Sequence, residues 1–135
     1  MPSSLRILVA DDNETIRYGL CSVLQARPGW VVCGCAVNGS DAVQKAVELK
    51  PDVILVDLSM PGLNGFEAAE CIHERVPDVE ILVVTEHDSQ TLEHLPPQPG
   101  VRGYVVKSRL EHGLVPAVEA ASKHRRPPSN RAASA

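Results

Sequence analysis

A chain of 135 residues, 44% hydrophobic and 22% charged, has the composition of one ordinary globular domain and leaves no room for a second core. Its net charge of −4 excludes a general affinity for nucleic acid, and no apolar run approaches the ~20 residues of a membrane span. All 17 acidic residues precede position 123, whereas Lys123, Arg125, Arg126 and Arg131 stand in the tail without an acid. The only aromatic residues are Tyr18, Trp30, Phe66 and Tyr104, so the core must be aliphatic. Cys21, Cys33, Cys35 and Cys71 form neither a CxxC pair nor a metal spacing with histidine, and read as small apolar residues in a reducing cytosol. Cys33 and Cys35, two apart on a strand, are expected on one face. The start, MPSSLR, carries no signal-peptide pattern, so a cytoplasmic location is expected.

LRILVA (5–10) reads as a first strand ending in Asp11-Asp12. Asn13 is a candidate N-cap for a helix to about Ala26, with Ile16, Leu20, Val23 and Leu24 inward, stopped by Arg27-Pro28-Gly29. WVVCGCA (30–36) is a second strand, and a helix follows from about Asp41 to Leu49 with Ala42, Val43, Ala46 and Val47 on one face. Val53–Asp57 is an unbroken apolar run closed by one carboxylate, the pattern of a strand buried on both faces. A third helix is expected from about Gly65 to Arg75, inward at Phe66, Ala69 and Ile72, then a strand EILVVT (80–85). The segment after it holds Pro96, Pro97 and Pro99, so a helix there is expected to be short or irregular. RGYVV (102–106) is the fifth strand and ends at Lys107. Ser108 is a candidate cap for a last helix to about Ser122, which Pro116 interrupts unless the helix begins near Gly113. The five histidines are scattered and read as surface groups, with His87 alone near the rim. Residues 1–122 are read as one domain and 123–135 as a flexible basic tail or linker.

Strand–helix alternation implies a parallel sheet with right-handed crossovers and helices on both faces. The strand ends then share one edge, where such sheets bind ligands. Asp11, Asp12, Asp57, Thr85 and Lys107 converge there. Three neighbouring carboxylates repel, and Mg²⁺ resolves the repulsion, since it takes carboxylate, carbonyl and water oxygens. A carboxylate so held and facing a lysine can attack phosphorus, while Lys107, the Thr85 hydroxyl and amides near Ser59 meet the phosphoryl oxygens.

ILVADDNE (7–14), VDLSMPGLNG (56–65), VVT (83–85) and GYVVKS (103–108) resemble a bacterial response-regulator receiver domain. GYVVKS and RPGWVVCGCAVNG are most similar to the NarL/LuxR class of transcription factors. The resemblance covers residues 5 to about 122 and implies a flavodoxin-like α/β fold, a five-stranded parallel sheet in the order 2-1-3-4-5. It implies that Asp57 accepts a phosphoryl group from a sensor histidine kinase, and that Asp11 or Asp12, Asp57 and the Ser59 carbonyl hold Mg²⁺. Lys107 would bind the phosphate, and Thr85 and Tyr104 would form the switch pair. Such a protein is not a turnover enzyme, although it catalyses its own phosphorylation and dephosphorylation. It can form a homodimer, and it reaches DNA only through an output domain absent from this chain.

Three departures from the family pattern stand out. Glu86 occupies a position that is usually small, and with His87 is expected to modulate the pocket. The prolines fall where the family has a helix. The chain stops after its tail, as an excised receiver or a single-domain protein would. The alternatives are a degenerate receiver working as a constitutive interaction domain and, from another class, a haloacid-dehalogenase-like phosphatase. The second requires an Asp where Ser59 stands.

Overall fold

A computed structural model describes residues 4–86 and 98–123. In chain order the elements are β1 (Leu5–Ala10), α1 (Glu14–Gln25), β2 (Trp30–Ala36), α2 (Gly39–Leu49), β3 (Val53–Asp57), α3 (Gly65–Arg75), β4 (Glu80–Thr85), β5 (Val101–Val106), a 3-10 turn (Lys107–Arg109) and α4 (Leu110–Ser122). The five strands are parallel in the order β2-β1-β3-β4-β5, the sheet expected.

Alternation along the strands divides the core. Leu8, Ala10, Ile54 and Val56 face Ala42, Val43 and Ala46 of α2 and Ala68, Ala69 and Ile72 of α3. Ile7, Val9, Val53 and Leu55 face Leu20 and Leu24 of α1 and Leu114, Val118 and Ala121 of α4. Central β3 is covered on both sides and is buried at every residue, which is why it reads as an unbroken apolar run. The helical stripes are narrower than their spacing implies: Val23 is 39% exposed and Val47 37%, each at the margin of its face. His73 departs from the surface reading, being half-buried with its Nδ1 buried and without a hydrogen bond.

Three asparagines start helices. Asn13, Asn38 and Asn64 accept the N–H of Ile16, Asp41 and Glu67, and Glu67 returns a bond to the Asn64 N–H to complete a capping box. Because Asn38 is the cap, α2 begins at Gly39, two residues before the expected Asp41. Ser108 caps nothing: it lies in the 3-10 turn, α4 starts at Leu110, and Pro116 sits inside the helix on an exposed position. There water can satisfy the carbonyl that proline, having no N–H, leaves without a donor.

Cys33 and Cys35 do not share a face. The β1–β2 register shifts between Ile7 and Leu8, pairing Ile7 with Val32 but Leu8 with Gly34. The extra residue of this bulge reverses the alternation, so Cys33 packs toward α2 and α3 while Cys35 meets Cys21 of α1. Gly34 beside it is closely covered: a Cβ there would lie 2.8 Å from Leu49 Cδ1, and the leucine side chain would have to move.

The expected short or irregular helix, with His87, Pro96 and Pro97, lies outside the described residues, as does the tail beyond Lys123. Pro99 is in the turn before β5, which starts at Val101, one residue earlier than expected.

At Gly65 the first turn of α3 presses on the end of β3: an added Cβ would stand 2.7 Å from both the Asp57 carbonyl oxygen and Leu58 Cα. Gly65→Ala is expected to lower stability by about 1–3 kcal/mol, the usual cost of overpacking. Urea denaturation of the two proteins measures it, and an unchanged midpoint contradicts the contact.

Candidate functional site

The register sets the site. Ala10 pairs with Val56, Asp57 with Val84, and Thr85 with Val106. The residues that end β1, β3, β4 and β5 therefore come to one edge of the sheet, as expected. Carboxylate oxygens of Asp11, Asp12 and Asp57 lie within 4.8 Å of one another. Asp11 is fully buried and Asp57 is 2% exposed, whereas Asp12 is open to solvent.

The hydrogen bonding is incomplete. Asp11 Oδ1 accepts the Asn13 N–H at 2.8 Å, so the residue that caps α1 also orients the first acid. Asp11 Oδ2 is buried with no hydrogen bond; the Lys107 ammonium is 3.5 Å away, close enough for attraction but not aligned as a donor. Lys107 Nζ lies 3.2 Å from Asp57 Oδ1, which also receives the Ser59 N–H at a long 3.4 Å.

Two buried carboxylates thus face one ammonium. Burial pushes the Asp57 carboxyl up, and the Asp11 charge adds to this; Lys107 and the Ser59 N–H pull the other way, and the result is about 6. Burial works against the charge on Lys107, but Asp11 and Asp57 outweigh it and hold the ammonium above its ordinary range. A buried oxygen without a hydrogen bond among hard carboxylate donors is an arrangement that a divalent cation such as Mg²⁺ fits.

Thr85 is buried at the end of β4, beside Asp57, where the Leu58 N–H binds the Val84 carbonyl at 2.8 Å. Tyr104 is half-buried on β5, with its ring edge-on to Phe66 at 6.3 Å and 78°. Burial raises its hydroxyl's pKa. Glu86 is exposed, and His87 lies outside the described residues. Two neighbours were not foreseen. Arg17 donates to the Asp11 carbonyl at 2.8 Å, and Phe66, taken only as a core residue, is the partner of the Tyr104 ring. One turn of helix separates Asn13 from Arg17, a spacing that could have marked Arg17 as facing the same rim.

The family model of the response regulator receiver domain matches residues 7–119. The chain belongs to the response-regulator receiver family. This receiver domain is 39% identical over 119 residues to the transcriptional regulatory protein LiaR of Bacillus subtilis, covering 88% of this chain and 56% of LiaR. Among solved structures it is similar to a LuxR-family two-component response regulator from Aurantimonas, with a TM-score of 0.80, 32% identity and coverage of 92% of this chain and 89% of that one. It is also similar to the receiver domain of NarL from Mycobacterium tuberculosis, with a TM-score of 0.79, 28% identity and coverage of 92% and 100%. The chain spans about half the length of the curated relatives it matches, which are transcriptional regulators. The match favours a receiver over a phosphatase or a bare interaction domain. No helix among the described residues is long and apolar enough to cross a membrane.

The raised carboxyl gives a pH signature. With its folded value near 6 against an ordinary 3.8, Asp57 contributes stability below about pH 3.8, and this is lost as the pH rises through 6. Without metal, Asp57→Asn is therefore expected to stabilise the fold at pH 7.5 by about 3 kcal/mol, at about 1.4 kcal/mol per pKa unit. The gain should shrink toward zero as the pH falls to 4. Thermal melts in a chelator across that range test it, and a gain independent of pH would rule out the buried charge as its cause.

Proposed function

We propose that Asp57 is the phosphoacceptor of this receiver domain, with Asp11, Asp12, Asp57 and the Ser59 carbonyl holding Mg²⁺. The carrying observation is one nearly buried carboxylate at the end of the central strand, with two others within 4.8 Å and a lysine ammonium 3.2 Å away. An Asp57 oxygen attacks phosphorus, and the phosphorus–nitrogen bond to a sensor-kinase phosphohistidine breaks. Lys107 sits where the transferred oxygens arrive and offsets their charge. Mg²⁺ held by these groups would supply the positive charge that Lys107 alone does not provide for the three acids. The Thr85 hydroxyl then bonds the phosphoryl oxygens, and Tyr104 repacks against Phe66, carrying the change away from the rim.

The same reading covers the whole protein. The chain is no turnover enzyme but catalyses its own phosphorylation and dephosphorylation. It works in the cytoplasm, as residues 1–122 followed by a basic linker at 123–135. Its output is transcription, through a DNA-binding domain beyond this chain, with phosphorylation favouring a homodimer. The half-length match to transcriptional regulators supports that output. Glu86 faces solvent, which supports a minor influence on the pocket.

Backbone amide spectra in Mg²⁺ with a beryllium fluoride phosphoryl mimic test the reading. Shifts are expected at Asp57 and from Thr85 to Lys107. They should vanish in Asp57→Ala, weaken about tenfold or more in affinity in Lys107→Ala, a loss of about 1.4 kcal/mol, and persist nearly unchanged in Glu86→Ala. A folded protein that takes no mimic at saturating concentration would remove the phosphoacceptor role and leave an interaction domain.

A further inference from the structure

A second pair of reactive groups lies on the α1 side of the sheet edge. Cys21 Sγ of α1 and Cys35 Sγ of β2 are 3.5 Å apart, and both thiols are free and half-buried. They line a cleft of about 430 Å³ that opens beside Arg17, Tyr18 and Val32, and Tyr18 is 74% exposed at its mouth. A small oxidant therefore has both a route in and room to sit. A disulfide needs its sulfurs about 2.05 Å apart, so the walls must close by about 1.5 Å. Strand β2 can supply that movement. It is the edge of the sheet, with β1 alone beside it, and its ladder is already broken by the bulge at Cys33 and Gly34.

We propose that Cys21 and Cys35 are an oxidative modification site, closing to a reversible intramolecular disulfide on reaction with a low-molecular-weight disulfide. The Cys35 thiolate attacks one sulfur of the oxidant, whose S–S bond breaks to release one thiolate. Cys21 then gives its proton to water and attacks Cys35 Sγ, displacing the second thiolate. Two electrons pass from the cysteine pair to the oxidant, and the two protons end on its released thiols. Cys21 is the poorer first attacker, because burial and then its hydrogen bond and charge interaction with Cys35 push its thiol up to about 12, against the pull of Arg17. Capping Cys35 removes the two contributions that Cys35 makes.

The pair is wired to the acidic rim. The Ala36 carbonyl, one residue beyond Cys35, accepts the Asp11 N–H at 3.1 Å. Arg17, one turn before Cys21, holds the Asp11 carbonyl at 2.8 Å. Drawing β2 toward α1 moves both anchors of Asp11, so oxidation weakens the hold of the rim on a divalent cation. The consequence for metal rests on the function proposed above; the bond and the displacement of Asp11 do not.

The full chain is incubated with glutathione disulfide, alkylated and weighed. A mass lower by two hydrogens, a linked peptide pair carrying Cys21 and Cys35, and reversal by thiol are expected, with the link absent in Cys21→Ser and in Cys35→Ser. Amide shifts at Asp11 and Asn13 on oxidation, without metal, are expected as well. Both thiols remaining free, or ending only as separate glutathione adducts or links between chains, would overturn the modification site. A linked protein with unmoved Asp11 and Asn13 amides would overturn the coupling. A reduced protein that takes no Mg²⁺ would defeat the phosphoacceptor reading, while mass and amide shifts still decide this one.

Discussion

One charge imbalance governs this molecule: two buried carboxylates, Asp11 and Asp57, share one ammonium, that of Lys107. An isolated buried charge is expensive, and a shared counter-ion compensates only part of the deficit. Burial first, and then the neighbouring Asp11 charge, push the Asp57 carboxyl up to about 6. The fold tolerates this because β1, β3 and β4 are held by apolar packing on both faces, far from the rim in chemical character. Stability is supplied by Ile54, Leu55, Ile7 and Val9 and their helices, and part of it is lost at the strand ends. In the function proposed above, that deficit is what a cation and then a phosphoryl group meet at the rim.

The sheet order turns dispersed residues into that rim. Asp11 and Lys107 are 96 positions apart, which follows from their numbers, yet their charged atoms are 3.5 Å apart. Parallel strands all end on the same side, so one residue at the end of each suffices. Local contacts then set the orientation: Asn13 both caps α1 and donates to Asp11, and Gly65 lets α3 begin directly against the Asp57 carbonyl. A change at either position reaches the acids without touching their side chains.

Much of this was legible in the sequence. The continuous run at Val53–Asp57, the Asn13 cap and the break at Arg27-Pro28-Gly29 gave the elements, because periodicity and turn chemistry are local. What escaped reading depended on contacts between elements. The bulge at Cys33 and Gly34 shows in the pairing of β2 with β1, and its one local signal in WVVCGCA, the glycine inside the strand, went unused. Val23 and Val47 keep helical spacing but fall at the margins of their faces, which only the placement of neighbouring helices determines. Asn38 outranked Asp41 as a helix start, since both are capping types and backbone geometry chose between them. Arg17 was not singled out, and its role appears only when the Asp11 carbonyl is seen at the end of its reach.

The two faces of the sheet carry different consequences of the same rim. On the α2–α3 side, Gly65 and Phe66 follow each other, so the residue against the Asp57 carbonyl is joined by one peptide bond to the ring that meets Tyr104. A shift of the Asp57 loop therefore moves the surface on which Tyr104 packs, and an edge-on ring pair, worth about 0.5–1.5 kcal/mol beyond its buried area, is weak enough to be exchanged for another packing. On the α1 side, Arg17 and the Ala36 carbonyl hold Asp11 from behind, next to Cys21 and Cys35. In the two proposals above, aromatic repacking reports what happens at Asp57, while the thiols act on Asp11. The two devices meet only through carboxylates whose charge Lys107 balances by half, so a small displacement on either side is felt in full at the rim.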